Sequence, residues 1–301
     1  MKHIVTKVFT LLLFAILFTG CHSTPPATLA DLSSRYINVE GCRVHYKAFG
    51  HGDKTIIFIH GFGCDMNVWE HQYEAFCHDT IRLIFVDLPG FGLSDKPHAE
   101  YTLDYFAHAV ESVLKAEKVT KPILVGHSLG TPVCLCVEHR DNICVAGICD
   151  VDGVYCLYPH DPVALPRYEQ AVQGFAQSFC GGDVRQNIIN FVHSLSGPDT
   201  PQEITQYALS TMPNTLGYVA CSTMSHLIEH TYWDLWSDHQ VRVPSLVVCT
   251  KNSGLEPDNE QQMNRFFANM TYWELDTCGH FIMWEQAEEF NQKLHNLVSN
   301  L

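Results

Sequence analysis

Pro122-Ile123-Leu124-Val125-Gly126-His127-Ser128-Leu129-Gly130 reads as an apolar strand that runs straight into Gly-x-Ser-x-Gly, and the residues from Ser128 to Glu138 carry the spacing of a helix. Gly126 and Gly130 let the chain turn sharply without side-chain collision. Ser128 can then stand exposed above the end of a strand, at a helix N-terminus whose dipole favours developing negative charge. The motif alone is common by chance. A strand before it and a helix after it favour a nucleophile over a mere turn serine.

Outward from this point the chain alternates. Thr55 to His60, Arg82 to Asp87, Ala146 to Asp152, Pro244 to Thr250 and Met270 to Leu275 are apolar, β-branched runs of parallel-strand length. Met66 to Cys77, Leu103 to Glu117, Asn259 to Ala268 and Trp284 to Leu301 carry helical patterns between and after them. Tyr36 to Phe49 is two short alternating stretches around Glu40-Gly41, a hairpin signal. Strand and helix in repetition imply an α/β fold with a mostly parallel sheet covered on both faces, and right-handed crossovers put the ligand crevice at the carboxyl ends of the strands. Residues 154–241 break the rhythm with helical segments and a Pro-rich start. They are expected to form a mobile helical cap over the crevice, with residues 36–153 and 242–301 as the core and Phe175, Phe179 and Met224 facing the substrate.

At this stage the sequence resembles the α/β-hydrolase superfamily from Tyr36 to Leu301. Four motifs stand in the family's order: His60-Gly61-Phe62-Gly63; Asp87-Leu88-Pro89-Gly90-Phe91-Gly92-Leu93-Ser94-Asp95; Gly126 to Gly130; and Gly279-His280-Phe281. The resemblance implies an eight-stranded sheet with a helical cap between the sixth and seventh strands. It is nearest to capped esterases, C–C bond hydrolases, epoxide hydrolases and haloalkane dehalogenases. The last two carry aspartate where this chain has Ser128, which disfavours both.

By the family's pattern the oxyanion of a serine mechanism is held by the backbone N–H groups of Leu129 and Phe62. His280, in the run Cys278 to Gln286 that matches the family's base loop, is the expected base. His127 is expected to pack within the elbow, and Asp87 and Asp95 to fix the loop after the fourth strand. Trp69, Trp233, Trp236 and Trp284 are candidates for the pocket lining, although aromatics at such spacings usually belong to a core.

The acid is less direct, because Ser253 stands where the family usually places an aspartate and a hydroxyl cannot stabilise an imidazolium. Glu256 lies three residues further on. Asp150 and Asp152 alternate onto one side of the sixth strand, and Asp152 is nearer its carboxyl end. Asp152 is therefore the expected acid, with Asp150, Glu256 and no acid at all as the alternatives.

The composition bounds what remains. Of 301 residues 46% are hydrophobic, enough for a full core. Eighteen Lys and Arg against 33 Asp and Glu give a net charge of −15 with no basic cluster, which argues against nucleic acid as a partner. Thirteen cysteines include no C-x-x-C pair with matching histidine spacing, so no metal is expected, and the chemistry needs no cofactor. Cys134, Cys136, Cys144 and Cys149 lie in apolar runs and read as small buried hydrophobes.

Lys2 and Lys7, the apolar run from Val8 to Phe18 and Thr19-Gly20-Cys21 have the order of an export signal over residues 1–20. The run is shorter than the roughly 20 residues of a membrane span. Phe18-Thr19-Gly20-Cys21 resembles the lipobox of bacterial lipoproteins, which implies acylation of Cys21 and attachment to the membrane of a bacterial cell envelope. Residues 21–35, rich in Ser, Thr, Pro and Ala, read as a tether, with folding starting near Tyr36.

The expected activity is hydrolysis of a carboxylic ester of a small or hydrophobic substrate through an acyl-enzyme. C–C bond hydrolysis on the same residues, and a binding lipoprotein with a lapsed site, are the alternatives.

Overall fold

A computed structural model of the chain describes residues 26–159, 161–229, 232, 233, 236, 239–251 and 259–301. The leader, Cys21, Ser253 and Glu256 lie outside the described residues.

Eight strands form one sheet in the order β1-β2-β4-β3-β5-β6-β7-β8. They are β1 (Arg35–Val39), β2 (Cys42–Phe49), β3 (Thr55–Ile59), β4 (Arg82–Val86), β5 (Pro122–His127), β6 (Gly147–Val151), β7 (Ser245–Thr250) and β8 (Met270–Leu275). β2 runs antiparallel to β1 and β4, and every other pairing is parallel. In β3, β5, β6 and β7 every residue is buried, as continuous apolar runs require in a sheet covered on both faces. The β1–β2 hairpin closes through Glu40 (φ 51°) and Gly41 (φ 88°), two successive left-handed residues that match the twist of the flanking strands.

Helices α1 (Glu70–Phe76), α2 (Leu103–Ala116) and α3 (Gly130–His139) follow β3, β4 and β5 in turn. A 3₁₀ turn, Met66–Trp69, precedes α1, with the Asp65 carboxylate accepting from Asn67 N at its start. The single helix expected over Met66 to Cys77 is thus split at its first turn. α2 starts at Thr102, whose hydroxyl accepts from Tyr105 N at 3.0 Å. The C-terminal helix, Ala287–Ser299, seats Phe290, Leu294 and Val298 in the core at helical spacing.

Between β6 and β7 lie α4 (Leu165–Gln177), α5 (Val184–Ser194), α6 (Gln202–Thr211) and α7 (Gly217–Leu227). A disulfide, Cys180–Cys221, joins the segment after α4 to α7. Tyr218 and His226 of α7 bond to the core, at Lys96 O and the Glu100 carboxylate. Cys134, Cys136 and Cys149 are buried as unpaired thiols, whereas Cys144 is exposed, because it lies in the loop before β6.

The stretch read as a tether is packed from Pro26 onward. Leu29 and Leu32 are buried in the core, Tyr73 Oη–H donates to Pro26 O, and the Lys47 ammonium donates to Leu29 O and Ala30 O. Two leucines at three-residue spacing, with Thr28 and Asp31 forming a capping box, are enough to dock a short 3₁₀ turn that bulk composition concealed.

Candidate active site

Ser128 sits on the bend between β5 and α3 with φ at +53°, a conformation that disfavours any side chain. The bend is held from both sides: Ser128 N–H donates to Val151 O at 3.0 Å, and Thr131 N–H to Ser128 O at 3.0 Å. The flanking glycines have no alternative. A Cβ on Gly126 would lie 2.5 Å from the Gly130 carbonyl, and one on Gly130 2.2 Å from Ile59 O. α3 begins at Gly130 instead of Ser128 because the left-handed serine cannot be its first turn.

The loop after β3 brings Phe62 to the same place. Gly61 packs so closely that a Cβ there would meet Ser128 Cβ at 2.9 Å. His60, fully buried, shapes this loop: its Nδ1–H donates to Gly61 O at 2.8 Å and its Nε2 accepts from Leu88 N at 3.1 Å. Burial holds the His60 pKa down and keeps the ring neutral. Among the described residues the backbone N–H groups of Phe62 and Leu129 have no acceptor, and both residues line the cavity above Ser128.

His280 comes from the loop after β8. Its Nδ1–H donates to Asp152 Oδ2 at 2.6 Å, and Asp152 Oδ1 accepts from Thr250 N at 3.0 Å. Asp152 follows β6 in a left-handed turn, φ +47°, anchored by Asp152 N–H donating to Val248 O at 2.7 Å. Asp150 points elsewhere. It is fully buried and accepts from Thr131 Oγ1–H at 2.7 Å, Gly153 N at 2.9 Å and Tyr155 Oη–H, away from the histidine. Burial, aided by the nearby Asp152 charge, pushes its pKa up to about 7 against the pull of those donors.

His127 turns back beneath Ser128, where its Nε2–H donates to His280 O at 3.0 Å. Burial and the His280 ring beside it hold its pKa well below the ordinary histidine range. Asp87 accepts from Met66 N, Leu93 N and His45, and Asp95 pairs with Arg43, so both serve the loop after β4. Burial opposes the Asp87 charge, but these donors prevail and its pKa lies below the usual value.

A cavity of about 330 Å³ is lined by Ser128, His280, Asp152, Phe62 and Leu129. Its roof is Phe175, Phe191, Leu195, Met224 and Leu227 from the cap. Phe179 stands behind the roof, its ring 5.5 Å from that of Phe62 and 5.2 Å from that of Phe175. None of the four candidate tryptophans is among its described lining residues. Trp69, Trp233 and Trp236 are core, and Trp284 ties to Val68 O. No lysine or arginine is among the described lining residues, and its other polar side chains are hydroxyls, those of Tyr155, Ser194, Ser196 and Thr250. A somewhat larger cleft, about 380 Å³, lies near Lys47, Asp65, Asp87 and Lys96 and contains none of Ser128, His280 or Asp152. Among the described residues no three His, Cys, Asp or Glu side chains are grouped to hold a metal ion.

The Ser194-to-Gly197 side of the cavity was absent from the sequence reading, because a loop between two cap helices carries no motif. Glu285, which accepts from Gly279 N at 2.9 Å, lies five residues after His280 in the Cys278-to-Gln286 run, and a motif does not report such a side-chain-to-backbone contact.

Comparison with known proteins identifies the family and the fold. Over 276 residues, 87% of this chain and 94% of the other, it is 26% identical to a 2-hydroxy-6-oxononadienedioate/2-hydroxy-6-oxononatrienedioate hydrolase of Paraburkholderia phymatum. An esterase from Exiguobacterium antarcticum superposes with a TM-score of 0.77 at 18% identity, covering 89% of this chain and all of that one. The enol-lactonase from Burkholderia xenovorans does so at 0.74 and 17%, covering 88% of this chain and 100% of its own. These two share the fold. The model of the alpha/beta hydrolase family matches residues 56–293, from β3 through the Gly126-to-Gly130 turn and the His280 loop into the last helix, and the chain belongs to that family.

Proposed function

We propose that this hydrolase cleaves carboxylic esters of small or hydrophobic, uncharged substrates through an acyl-enzyme. The observation that carries the reading is the meeting of Ser128, the Asp152-bound His280 and two N–H groups without an acceptor among the described residues, under an apolar roof in a cavity whose described lining has no lysine or arginine. In this mechanism Ser128 Oγ attacks the carbonyl carbon while His280 Nε2 takes its proton. The N–H groups of Phe62 and Leu129 receive the oxyanion, and the proton passes to the departing alcohol. Water then repeats the sequence on the acyl-enzyme, returning the acid and free Ser128. Asp152 holds the imidazole in the tautomer whose Nε2 can accept. The cap supplies a dry roof and acts as a lid.

C–C bond hydrolysis is the second reading, favoured by the end-to-end similarity to the Paraburkholderia enzyme. The name of that relative's substrate specifies two carboxylates. Such a dianion would enter a cavity with no lysine or arginine among its described lining, and unpaired charge is costly to desolvate. Nitrophenyl esters of graded chain length, assayed beside a dienoate diketone, separate the two. Ester turnover with a chain-length optimum supports the proposal; C–C cleavage without ester turnover overturns it.

We propose further that the enzyme is held to the membrane of a bacterial envelope by acylation at Cys21. The export-signal order of residues 1–20 supports this, as does the Cys180–Cys221 disulfide, which suits an oxidising compartment. Cys21→Ser should shift activity from the membrane to the soluble fraction. A variant that stays membrane-bound with its leader removed contradicts the anchor.

A further inference from the structure

The loop that carries His280 is gripped from two sides. From the core, Asp152 holds the ring and His127 holds the His280 carbonyl. From the cap, Leu195 O accepts from His280 N at 2.9 Å. Glu285 Oε2 accepts both from Gly279 N at 2.9 Å and from Thr200 Oγ1–H at 3.0 Å, and Thr200 Oγ1 accepts from Gly197 N at 2.8 Å. Leu195, Gly197 and Thr200 all lie in the connection between α5 and α6. The backbone N–H of His280 is thus satisfied by a cap carbonyl, and that of Gly279 by a core carboxylate that a cap hydroxyl orients. There is no slack in the contact: a Cβ on Gly197 would stand 2.8 Å from Gly279 N and 2.9 Å from Thr277 O.

We propose that Thr200 and Glu285 are positioning residues through which the seated cap sets the place of His280, so that the base is in register only when the roof over the substrate is down. Closing the lid would then both dry the cavity and complete the catalytic group, and an open lid would leave Ser128 without an aligned base. This rests on the ester-hydrolase reading.

Thr200→Val removes the hydroxyl at constant shape, and Thr200→Ser keeps it. With nitrophenyl esters the valine variant should lose roughly tenfold in kcat with KM changed less than about twofold, the effect of one lost charge-assisted hydrogen bond on alignment. Serine should restore most of that loss. The low-field proton resonance of the His280–Asp152 bond gives a readout that needs no substrate. It should broaden or exchange faster in Thr200→Val and return in Thr200→Ser. A valine variant with wild-type kcat and resonance overturns the proposal, as do equal losses in valine and serine variants. If the wild type turns over no ester, the functional reading fails while the resonance still decides this one, and its absence from the wild type would count against it. Should Thr200→Val not fold, Glu285→Gln, which keeps an acceptor oxygen, should retain more kcat than Glu285→Ala; equal values overturn the proposal.

Discussion

Asp150 and Asp152 stand two residues apart at the end of one strand and are put to opposite uses. Alternation placed both on one side of β6, which the sequence allowed one to read, and proximity to the strand end favoured Asp152. What separates them is tertiary: a left-handed turn sends Asp152 toward His280, while Thr131, Gly153 and Tyr155 enclose Asp150. Asp152→Asn should keep the fold but lower ester turnover by roughly three to four orders of magnitude, since the amide favours the wrong imidazole tautomer. Activity near that of the wild type would remove Asp152 from the mechanism. Asp150 gives a prediction of stability instead. Its folded pKa, about 7, lies above the ordinary 3.8, so the folded state holds this proton over a range where the unfolded chain has released it. The contribution of this group is therefore full below about pH 4, falls as pH rises toward 7, and is flat beyond. Asp150→Asn should gain stability relative to the wild type across that window, measured by urea unfolding at a series of pH values. A difference independent of pH, or one that shrinks as pH rises, would contradict the assignment.

Elements were legible where one physical signal dominates. The ends of the strands from β3 to β8 were placed to within a residue; β3 to β7 are apolar runs because a strand buried on both faces must be apolar, and the edge strand β8 is marked by its β-branched and aromatic residues. Helix starts were less legible. The 3₁₀ turn before α1 and the late start of α3 depend on Asp65 capping and on the strained Ser128 backbone, neither of which periodicity reports. The packed turn around Leu29 was hidden by a composition that suggests a linker. Within the cap the Cys180–Cys221 pairing follows from the approach of α4 to α7, a tertiary fact absent from the spacing. The disulfide closes a loop of sequence separation 41 around α5, α6 and the Phe191 and Leu195 part of the roof. Cys221→Ser should destabilise the cap locally by about 2–4 kcal/mol through the freedom regained by that loop. Hydrogen exchange should accelerate over residues 165–227 and remain slow in β3, β5 and β6. Uniform acceleration of core and cap would mean that the cap does not open as a separate unit.

At the scale of the whole molecule, the doubly covered sheet is a rigid platform that gathers one functional loop from each of several strand ends. β3 delivers Phe62, β5 Ser128 and Leu129, β6 Asp152 and β8 His280. That gathering is why an ordered set of short motifs could be read without knowing the cap, and why specificity could not. Of the roof, Phe175 and Met224 stand where the sequence reading placed them, whereas Phe191, Leu195 and Leu227 are marked by no motif and are brought in only by packing. A net charge of −15 and a described cavity lining without lysine or arginine both disfavour anionic substrates. The central claim is that Ser128 is an activated nucleophile within this assembly. Its most direct test is treatment of the full chain and of Ser128→Ala with a fluorophosphonate, followed by intact mass and peptide mapping. The account predicts one phosphonyl adduct per chain, on the peptide containing Ser128, and none in Ser128→Ala; an unlabelled wild type, or an adduct that persists in the alanine variant, would contradict it.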